Sequence, residues 1–456
     1  MAENVTRAFA SILHDWPADE PAIEELCRLL LIDGLAIAAA GAHQPGPSMM
    51  AKLARAESAA PVSTVIGHGF AASPGLAARV NGIAMHVLDF EPMWVPANHG
   101  LSPLLPALLA LAEQRERAGA GPQGRSVLRG LAKGLEAQGR LRAASNQGNP
   151  ADMKFHPPGV VGPISAAAGC GDMLGLDLPR LVAAFGIAAS CGAGVTANTG
   201  TMVKALHCGN AAERGLEAAE LAALGFSAAE DGLGGARGFG DAFYGEAFDP
   251  TPLNAPLRVS RLLDPGMAWK LFPSQFYTQY AITAALDCRR DIADPGAIEA
   301  VTITSPRMAY MDRPEPATGF AGKFSFQYTV AAALLDGEVV MTSFTDQRRF
   351  APDMEAMLRR ITLHQDPAIS GEVNQSHVAV SVRLKDARVV EHLSDAPLGS
   401  WKRPVGPEHV RAKAEGLLGA CLTDGARTAF WRAVDAPIAE LRIADLMESL
   451  RTTKAS

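Results

Sequence analysis

The stretch TGTMVKALHCGNAAERGLEAAELAALGF, residues 199–226, shows the helical character of the chain and carries an unusual charge. Small and hydroxyl residues precede an alanine- and leucine-rich run that is typical of a long helix. Lys204 lies at the predicted start of this helix, where unpaired N–H groups carry roughly +0.5 of a charge and disfavour a cation. Two explanations are open at this point. Either an anionic ligand binds Lys204 together with the free N–H groups, or the lysine side chain simply points into water.

Helices of the same kind are predicted along most of the chain before about residue 265, and no strand pattern competes with them there. The clearest of them cover residues 103–118, 124–144, 161–174, 178–192 and 205–225. The character of the sequence changes after the segment Asp264-Pro265-Gly266. This change indicates a second kind of structure in the following part of the chain.

Residues 300–304 and 378–384 alternate between apolar and polar side chains, which predicts strands, and residues 388–392 form a predicted return strand. Predicted helices lie between these strands, over residues 277–291, 323–336 and 354–362. The sequence therefore predicts a mainly α fold with a large all-helical domain and a smaller α+β lid domain. The expected limits are 1–266 with 402–456 for the helical domain and 267–401 for the lid.

The composition is that of a globular protein with a large core. The 456 residues are 48% hydrophobic, and the net charge of −7 is spread without a basic cluster. This charge pattern argues against nucleic acid or a membrane as partner and favours a small molecule. We expect a cytoplasmic protein, because the N-terminus lacks the basic and apolar regions of a signal peptide. Six cysteines without C-x-x-C spacing predict reduced core thiols and neither a zinc site nor an iron–sulfur cluster.

Residues 81–100, NGIAMHVLDFEPMWVPANHG, interrupt the apolar pattern with charged groups. We predict that a helix ends at Glu91, because a proline follows, so that Asp89 and Glu91 lie in a last turn where the helix dipole repels carboxylates. His86 is placed three residues before Asp89 and is expected to pair with it. His99 follows in a loop rich in proline, glycine and asparagine, the kind of segment that carries functional groups. A structural His86–Asp89 pair beside a surface loop explains the same residues equally well.

Three further positions place a charge or an imidazole in an unusual context. His156 precedes two prolines that can begin a helix, and an imidazole at a helix N-terminus tends to stay neutral and usable as an acid or a base. Lys270 lies between aromatic residues near the predicted domain junction, where a lysine usually extends its charged end to solvent. Arg140 follows Glu136 by four residues, so an ion pair on one helix is a stronger expectation for it than a ligand contact.

Together these residues supply lysines, histidines and a carboxylate, without a recognisable metal or nucleotide motif. Cations can bind the carboxylates of a substrate, and the histidines can move protons at physiological pH. The combination suits acid–base chemistry on a polycarboxylate that requires no cofactor and no metal ion.

Several segments resemble, in chain order, members of the MmgE/PrpD superfamily. They are NGIAMHVLDFE with the following HG, FHPPGVVG, GTMVKALHCGNAAERGLEAA, WKLFP, and FSFQY with LLDG. The resemblance covers most of residues 1–405 and implies an all-helical domain with a smaller α+β lid, usually in a homodimer. Members of the superfamily include 2-methylcitrate dehydratase, cis-aconitate decarboxylase and iminodisuccinate epimerase. The resemblance also places five residues of this chain on site positions, namely Asp89, His99, His156, Lys204 and Lys270.

One segment departs from the pattern of the dehydratase and decarboxylase members. These members typically read DFDDT followed by a histidine-containing HP-x-x-HPS loop, whereas this chain reads DFEPMWVPANHG over residues 89–100. The loss of a threonine hydroxyl and of one histidine removes polar contacts that a tricarboxylate would use. On this basis the chain is most similar to the iminodisuccinate epimerase members.

We therefore expect a cofactor-independent epimerase that inverts a carbon α to a carboxylate in iminodisuccinate or a related dicarboxylate. An α-proton is very weakly acidic, so the reaction needs a placed base and cations that stabilise the developing charge. We assign His99 to one face of the carbon and Lys204 to the other. The expected catalytic residues are His99, Lys204, Asp89 and His156, and the expected substrate-binding residues are Lys270, Arg140 and His86. Two alternatives are a dehydratase or decarboxylase of a citrate- or aconitate-like tricarboxylate, and a protein that binds a dicarboxylate without turnover.

Overall fold

The computed structural model of the protein describes residues 4–57, 61–148 and 153–454. The chain divides into two compact units. The first comprises Met1–Gln147, Met153–Met267 and Gly406–Ser456, and the second comprises Gly148–Asp152 and Ala268–Val405.

Helices dominate the described residues. In chain order they are α1 (Val5–Asp15), α2 (Pro21–Gly41), α3 (Pro45–Glu57), α4 (Pro74–Val87), α5 (Leu105–Arg117), α6 (Gly124–Ala144), α7 (Pro157–Leu174), α8 (Leu178–Ala189), α9 (Met202–Ala223), α10 (Phe239–Tyr244), α11 (Thr251–Asn254), α12 (Phe276–Asp291), α13 (Gly319–Gly322), α14 (Phe326–Asp336), α15 (Asp346–Arg349), α16 (Pro352–Leu358), α17 (Pro407–Cys421), α18 (Asp424–Val434) and α19 (Ile443–Glu448). The strands are β1 (Ser63–Val65), β2 (Phe70–Ala72), β3 (Met93–Trp94), β4 (Asn98–His99), β5 (Ile298–Pro306), β6 (Ile361–Asp366), β7 (Val378–Leu384) and β8 (Val389–Ser394).

In the first unit, α9 packs against both α4 and α7. Small residues make this close packing possible. A Cβ atom added at Gly209 of α9 would lie 2.4 Å from the carbonyl oxygen of Arg79 in α4, and one at Gly215 would lie 2.5 Å from that of Pro163 in α7. Any side chain at these two positions would push the helices apart. The packing therefore holds α9 against the two helices whose flanking segments carry Asp89 and His156.

The first unit also contains four short strands that the sequence did not predict. β1 pairs with β2, and β3 pairs with β4, each as an antiparallel ladder of two or three residue pairs. Ladders this short contain too few residues for an alternating pattern to be recognised. The second ladder places His99 opposite Met93 and so shapes the loop that follows α4.

The second unit contains a four-stranded sheet with the order β6-β5-β7-β8. β5 pairs in parallel with β6 and antiparallel with β7, which pairs antiparallel with β8. Every second residue from Val378 to Leu384 is buried, as the alternating pattern predicts, and α12 packs against β7 and β8. The helix predicted over 354–362 is wrong at its end, because α16 stops at Leu358 and β6 begins at Ile361. Pairing with the distant strand β5 makes residues 361–366 a strand. The local sequence pattern does not reveal such pairing.

The predicted fold class, mainly α with a smaller α+β part, is confirmed. All six cysteines are free thiols, and five of them are buried. Within the described residues, no single helix has both the length and the apolar composition to cross a membrane. The helices α2 and α3 meet that test only as a pair, and they are bent by 87°.

Candidate active site

Helix α4 ends earlier than its sequence indicates. The helix ends at Val87 rather than at Glu91, and Asp89 adopts a left-handed backbone conformation with φ of 52°. Aspartate tolerates this conformation better than most residues. The prediction that Asp89 and Glu91 occupy a last helical turn is therefore wrong, since a proline sets only the latest possible end of a helix. Both side chains are buried in the turn that follows α4.

Lys204 lies in the first turn of α9, which Thr201 caps by accepting a hydrogen bond from the backbone of Val203. The ammonium nitrogen of Lys204 is 2.8 Å from Oδ2 of Asp89, and the lysine side chain is only 13% exposed. A carboxylate of the protein itself therefore forms an ion pair with the cation at the start of α9. The explanation by a lysine that points into water does not hold, and the anion next to Lys204 in this structure is Asp89.

His99, in β4, lies between two carboxylates. Its Nε2 is 3.5 Å from Oδ1 of Asp89, and its Nδ1 is 3.5 Å from Oε1 of Glu91. Negative charge on both sides of an imidazole favours the protonated ring. The geometry therefore allows His99 to act as a proton donor.

His86, in the last turn of α4, hydrogen-bonds Glu91 with 2.6 Å between Nδ1 and Oε1. The expected pairing of His86 with Asp89 is corrected by this contact. Ser102 holds the same carboxylate, because its backbone N–H and its hydroxyl both donate to Glu91, at 2.8 and 2.6 Å. The sequence singled out Glu91 only as a carboxylate at a helix end, and it gave no signal for Ser102.

His156 is the N-cap residue of α7, and its Nδ1 is 3.3 Å from Nδ1 of His207 in α9. Burial, and then the positive charge of Lys204, lower the pKa of His156 well below its usual range. The same two causes lower the pKa of His207. Both rings are therefore neutral near pH 7, as a helix N-terminus indicates for His156. His207 was not predicted, although it follows Lys204 by three residues and so faces the same side of the helix.

Four imidazoles thus form one group, which we call the histidine cluster: His86, His99, His156 and His207. The centroids of the rings of His86 and His99 are 4.6 Å apart, those of His86 and His156 5.5 Å, and those of His156 and His207 5.4 Å. Lys204, Asp89 and Glu91 border the cluster through the contacts given above. The arrangement combines a cation, proton donors and neutral bases, which is what proton transfer next to a carboxylate requires.

Part of this cluster could hold a metal ion. One ligand atom from each of His86, Glu91 and His99 lies within 4.8 Å of the other two. Adjacent ligand atoms around tetrahedral zinc are roughly 3.3 Å apart, whereas His86 and Glu91 approach to 2.6 Å. A hydrogen bond therefore fits this pair better than shared coordination, and the expectation that the protein needs no metal stays a prediction.

Dialysis against a strong chelator tests that prediction. We expect the rate of substrate turnover to stay within about twofold of the untreated protein, because the described contacts position the cluster through hydrogen bonds and ion pairs. Elemental analysis of the dialysed sample should find less than one metal ion per chain. A loss of activity that one particular metal ion restores would instead assign that ion to His86, Glu91 and His99.

The two remaining predicted site residues lie in different surroundings. Arg140 bonds the carboxylate of Glu136 at 2.8 Å and donates to the carbonyl groups of Pro252 and Ala255. These contacts agree with an ion pair on one helix and give Arg140 a structural role. Lys270 is buried in the second unit, where its ammonium group donates to the carbonyl oxygen of Ser274 at 3.2 Å. Binding of substrate by Lys270 stays a prediction.

Comparison with known proteins identifies enzymes of related sequence. The chain is 32% identical to the cis-aconitate decarboxylase of Mus musculus over 91% of this chain and 86% of that protein. The cis-aconitate decarboxylase of Homo sapiens is also 32% identical, over 91% of this chain and 87% of its own length. The 2-methylcitrate dehydratase of Salmonella typhimurium is 26% identical over 77% of this chain and 75% of its length.

These relatives show that the expectation of an epimerase acting on iminodisuccinate is wrong, because the relatives of this chain are named as a decarboxylase and a dehydratase. That expectation rested on the threonine and the histidine missing from residues 89–100. The candidate site contains polar groups from other segments, including Ser102 beside Glu91 and His207 beside His156, which comparison of one loop leaves out. The absence of two groups from that loop therefore does not identify the reaction.

Two family models match this chain. The MmgE/PrpD N-terminal domain covers residues 7–251, and the MmgE/PrpD C-terminal domain covers residues 272–436. Since the two models together span most of its length, the chain belongs to the MmgE/PrpD family.

Proposed function

We propose that the protein is a lyase that decarboxylates an unsaturated tricarboxylate of the cis-aconitate type. The observation that carries this proposal is the contact of Lys204 and His99 with one carboxylate, Asp89, beside neutral His156. A cation and a protonated imidazole are thereby held close together within a buried group of bases. The identity of 32% to two cis-aconitate decarboxylases supports the same reaction.

The chemistry of decarboxylation explains why these groups are useful. When a carboxylate leaves as carbon dioxide, its C–C bond breaks and the electron pair stays on the remaining carbon. In an aconitate-like acid, the neighbouring double bond spreads this pair into an allylic anion. A proton must then be added, which gives an unsaturated dicarboxylate one carbon shorter. The enzyme therefore has to stabilise negative charge and to supply one proton.

The residues take the following roles in this proposal. Lys204 stabilises the allylic anion by its positive charge, while Asp89 holds the ammonium group in place. His99 donates the proton, because the carboxylates on both sides of its ring favour the protonated form. His156 is neutral and binds the substrate by a hydrogen bond. His86 orients Glu91 through the contact described above.

Charge balance indicates a further requirement. The positive charges of Lys204 and protonated His99 are matched by the negative charges of Asp89 and Glu91. A substrate with three carboxylates therefore needs additional cations to offset the loss of its hydration. Lys270, which the sequence predicts as a substrate-binding residue, stays our candidate for such a cation.

Dehydration of a citrate-like hydroxy acid is the second candidate. The identity of 26% to a 2-methylcitrate dehydratase favours it. In that reaction a base removes a proton from carbon while the neighbouring hydroxyl group is protonated and leaves as water. His156 would serve as the base and His99 as the acid, so the same cluster accommodates both reactions.

Incubating the purified protein separately with cis-aconitate and with 2-methylcitrate distinguishes the candidates. We expect cis-aconitate to release one carbon dioxide per molecule consumed, with an unsaturated dicarboxylate as the product detected by mass spectrometry. Formation of a new double bond from 2-methylcitrate without carbon dioxide would favour the dehydratase instead. The variant His99→Gln should lose either activity, whereas His409→Gln, at an exposed histidine of α17, should retain it. If neither acid reacts, the proposal is wrong and binding without turnover becomes the better explanation.

A further inference from the structure

His207 occupies a defined place beside His156. It lies in α9, three residues after Lys204, while His156 lies just before α7, so the contact joins two helices. The two Nδ1 atoms are 3.3 Å apart, and both side chains are buried, with relative exposures of 9% for His207 and 7% for His156. This contact is not used in the roles assigned above.

The backbone around His207 is shaped to admit its ring. Gly194 has φ of +108°, and a Cβ atom added there would lie 2.9 to 3.1 Å from three ring atoms of His207. Gly194 also holds the other member of the pair, because its carbonyl oxygen accepts the backbone N–H of His156 at 2.8 Å. Gly194 therefore positions both histidines. The contact between them is determined by the backbone of the fold.

A hydrogen bond between two Nδ1 atoms limits the protonation of both rings. One nitrogen must carry the hydrogen and the other must accept it. When both rings are neutral, a hydrogen on Nδ1 of His207 leaves His156 with its hydrogen on Nε2, and the reverse arrangement leaves Nε2 of His156 as a base. Burial and the charge of Lys204 lower the pKa of both rings, so both are neutral near pH 7 and the hydrogen bond must adopt one of these two arrangements. The arrangement adopted decides whether Nε2 of His156 carries a hydrogen or is free to accept one.

We propose that His207 is a positioning residue that selects the tautomer of His156, and thereby decides whether His156 presents a base or a hydrogen-bond donor to the substrate. It acts through His156 and not by touching the substrate. The inference deepens the proposed lyase function and rests on it only for its kinetic measurements. The tautomer of His156 can be measured without any substrate.

Two variants of His207 test the proposal. His207→Leu fills a similar volume and removes the hydrogen bond, whereas His207→Asn places an amide close to the former Nδ1 and can keep it. NMR spectra of protein with isotope-labelled histidine report the tautomer of each ring, and the spectrum of His156→Gln identifies the signal of His156. We expect one neutral tautomer of His156 in the unmodified protein and a mixture of both in His207→Leu.

The kinetics should change in parallel. We expect kcat of His207→Leu to fall about 10- to 100-fold, the usual effect of losing a partner that orients a functional imidazole, with KM changed less than about threefold. His207→Asn should keep a higher kcat than His207→Leu. An unchanged His156 tautomer in His207→Leu, or equal kcat values for the two variants, would overturn the proposal. If the unmodified protein turns over no tricarboxylate, the proposed function fails, while the NMR result still decides the role of His207.

Discussion

Replacing Lys204 with methionine is expected to lower kcat/KM for the tricarboxylate by about 10³-fold, which is the usual upper effect of removing one group that stabilises charge in a transition state. The ammonium group lies 2.8 Å from Asp89 and is the cation closest to that carboxylate in the contacts described. Methionine has a similar length but no charge, so the anion formed by loss of carbon dioxide loses its stabilising partner. Steady-state kinetics with the tricarboxylate found to react measures the effect.

Two further variants separate loss of catalysis from loss of structure. Lys204→Met leaves Asp89 buried without this cation, so Lys204→Met combined with Asp89→Asn should restore thermal stability but not activity. Lys52→Met, at an exposed position of α3, is the matched control and should behave as the unmodified protein. Unchanged kinetics in Lys204→Met would remove this residue from the site.

Replacing Lys413 with methionine is expected to lower the free energy of unfolding by about 3–5 kcal/mol, because breaking a buried ion pair leaves one charge unpaired. The ammonium nitrogen of Lys413, in α17, is 2.9 Å from Oδ1 of Asp33 in α2, whose side chain is completely buried. Burial raises the pKa of Asp33 and lowers that of Lys413, and the attraction between the two groups opposes both shifts. Urea unfolding followed by circular dichroism measures the change.

The same lysine also supports the candidate site. Its ammonium group donates to the carbonyl oxygen of Phe90 at 2.8 Å and lies 3.8 Å from the centroid of the Phe90 ring. Phe90 stands between Asp89 and Glu91, so Lys413 fixes the turn that carries both carboxylates. We therefore expect kcat/KM to fall about 10-fold as well, which is the usual effect of removing a group that orients functional residues without contacting the substrate.

A second substitution distinguishes these two roles of Lys413. In Lys413→Met with Asp33→Leu, an apolar pair replaces the ion pair, so most of the lost stability should return. Activity should stay low, because the carbonyl group of Phe90 still lacks its donor. A change in unfolding free energy below about 1 kcal/mol in the single variant would show that the buried ion pair is not important for stability.

Local patterns along the chain account for most of the fold. The predicted helix 124–144 has the same limits as α6, and the alternating residues 378–384 form β7. The errors occur where pairing with a distant segment matters. The predicted helix 354–362 extends into the first two residues of β6, and β3 with β4 was not predicted, because short strands depend on partners more than on their own residues. The proposed limits of the two domains and the homodimer stay predictions.

The sequence predicted which residues form the candidate site better than it predicted which of them contact each other. Lys204 at a helix start and His156 before a helix follow from local composition and proline positions. The pairing of His86 was wrong, because the chain turns at Asp89 and brings Glu91 to that ring. Arg140 was named as a substrate-binding residue, yet its described contacts are to Glu136 and to two carbonyl groups.

The sequence by itself determined the helical and α+β character of the two parts of the chain and placed a lysine in the first turn of α9. Periodicity and capping are local, so they can be read from neighbouring residues. Only the tertiary structure decided which groups meet. Lys204 reaches Asp89 across 115 residues of sequence, and His207 reaches His156 across 51. Such contacts arise from the packing of α9 against α4 and α7, and hydrophobic periodicity indicates that a helix face is buried without indicating which segment covers it.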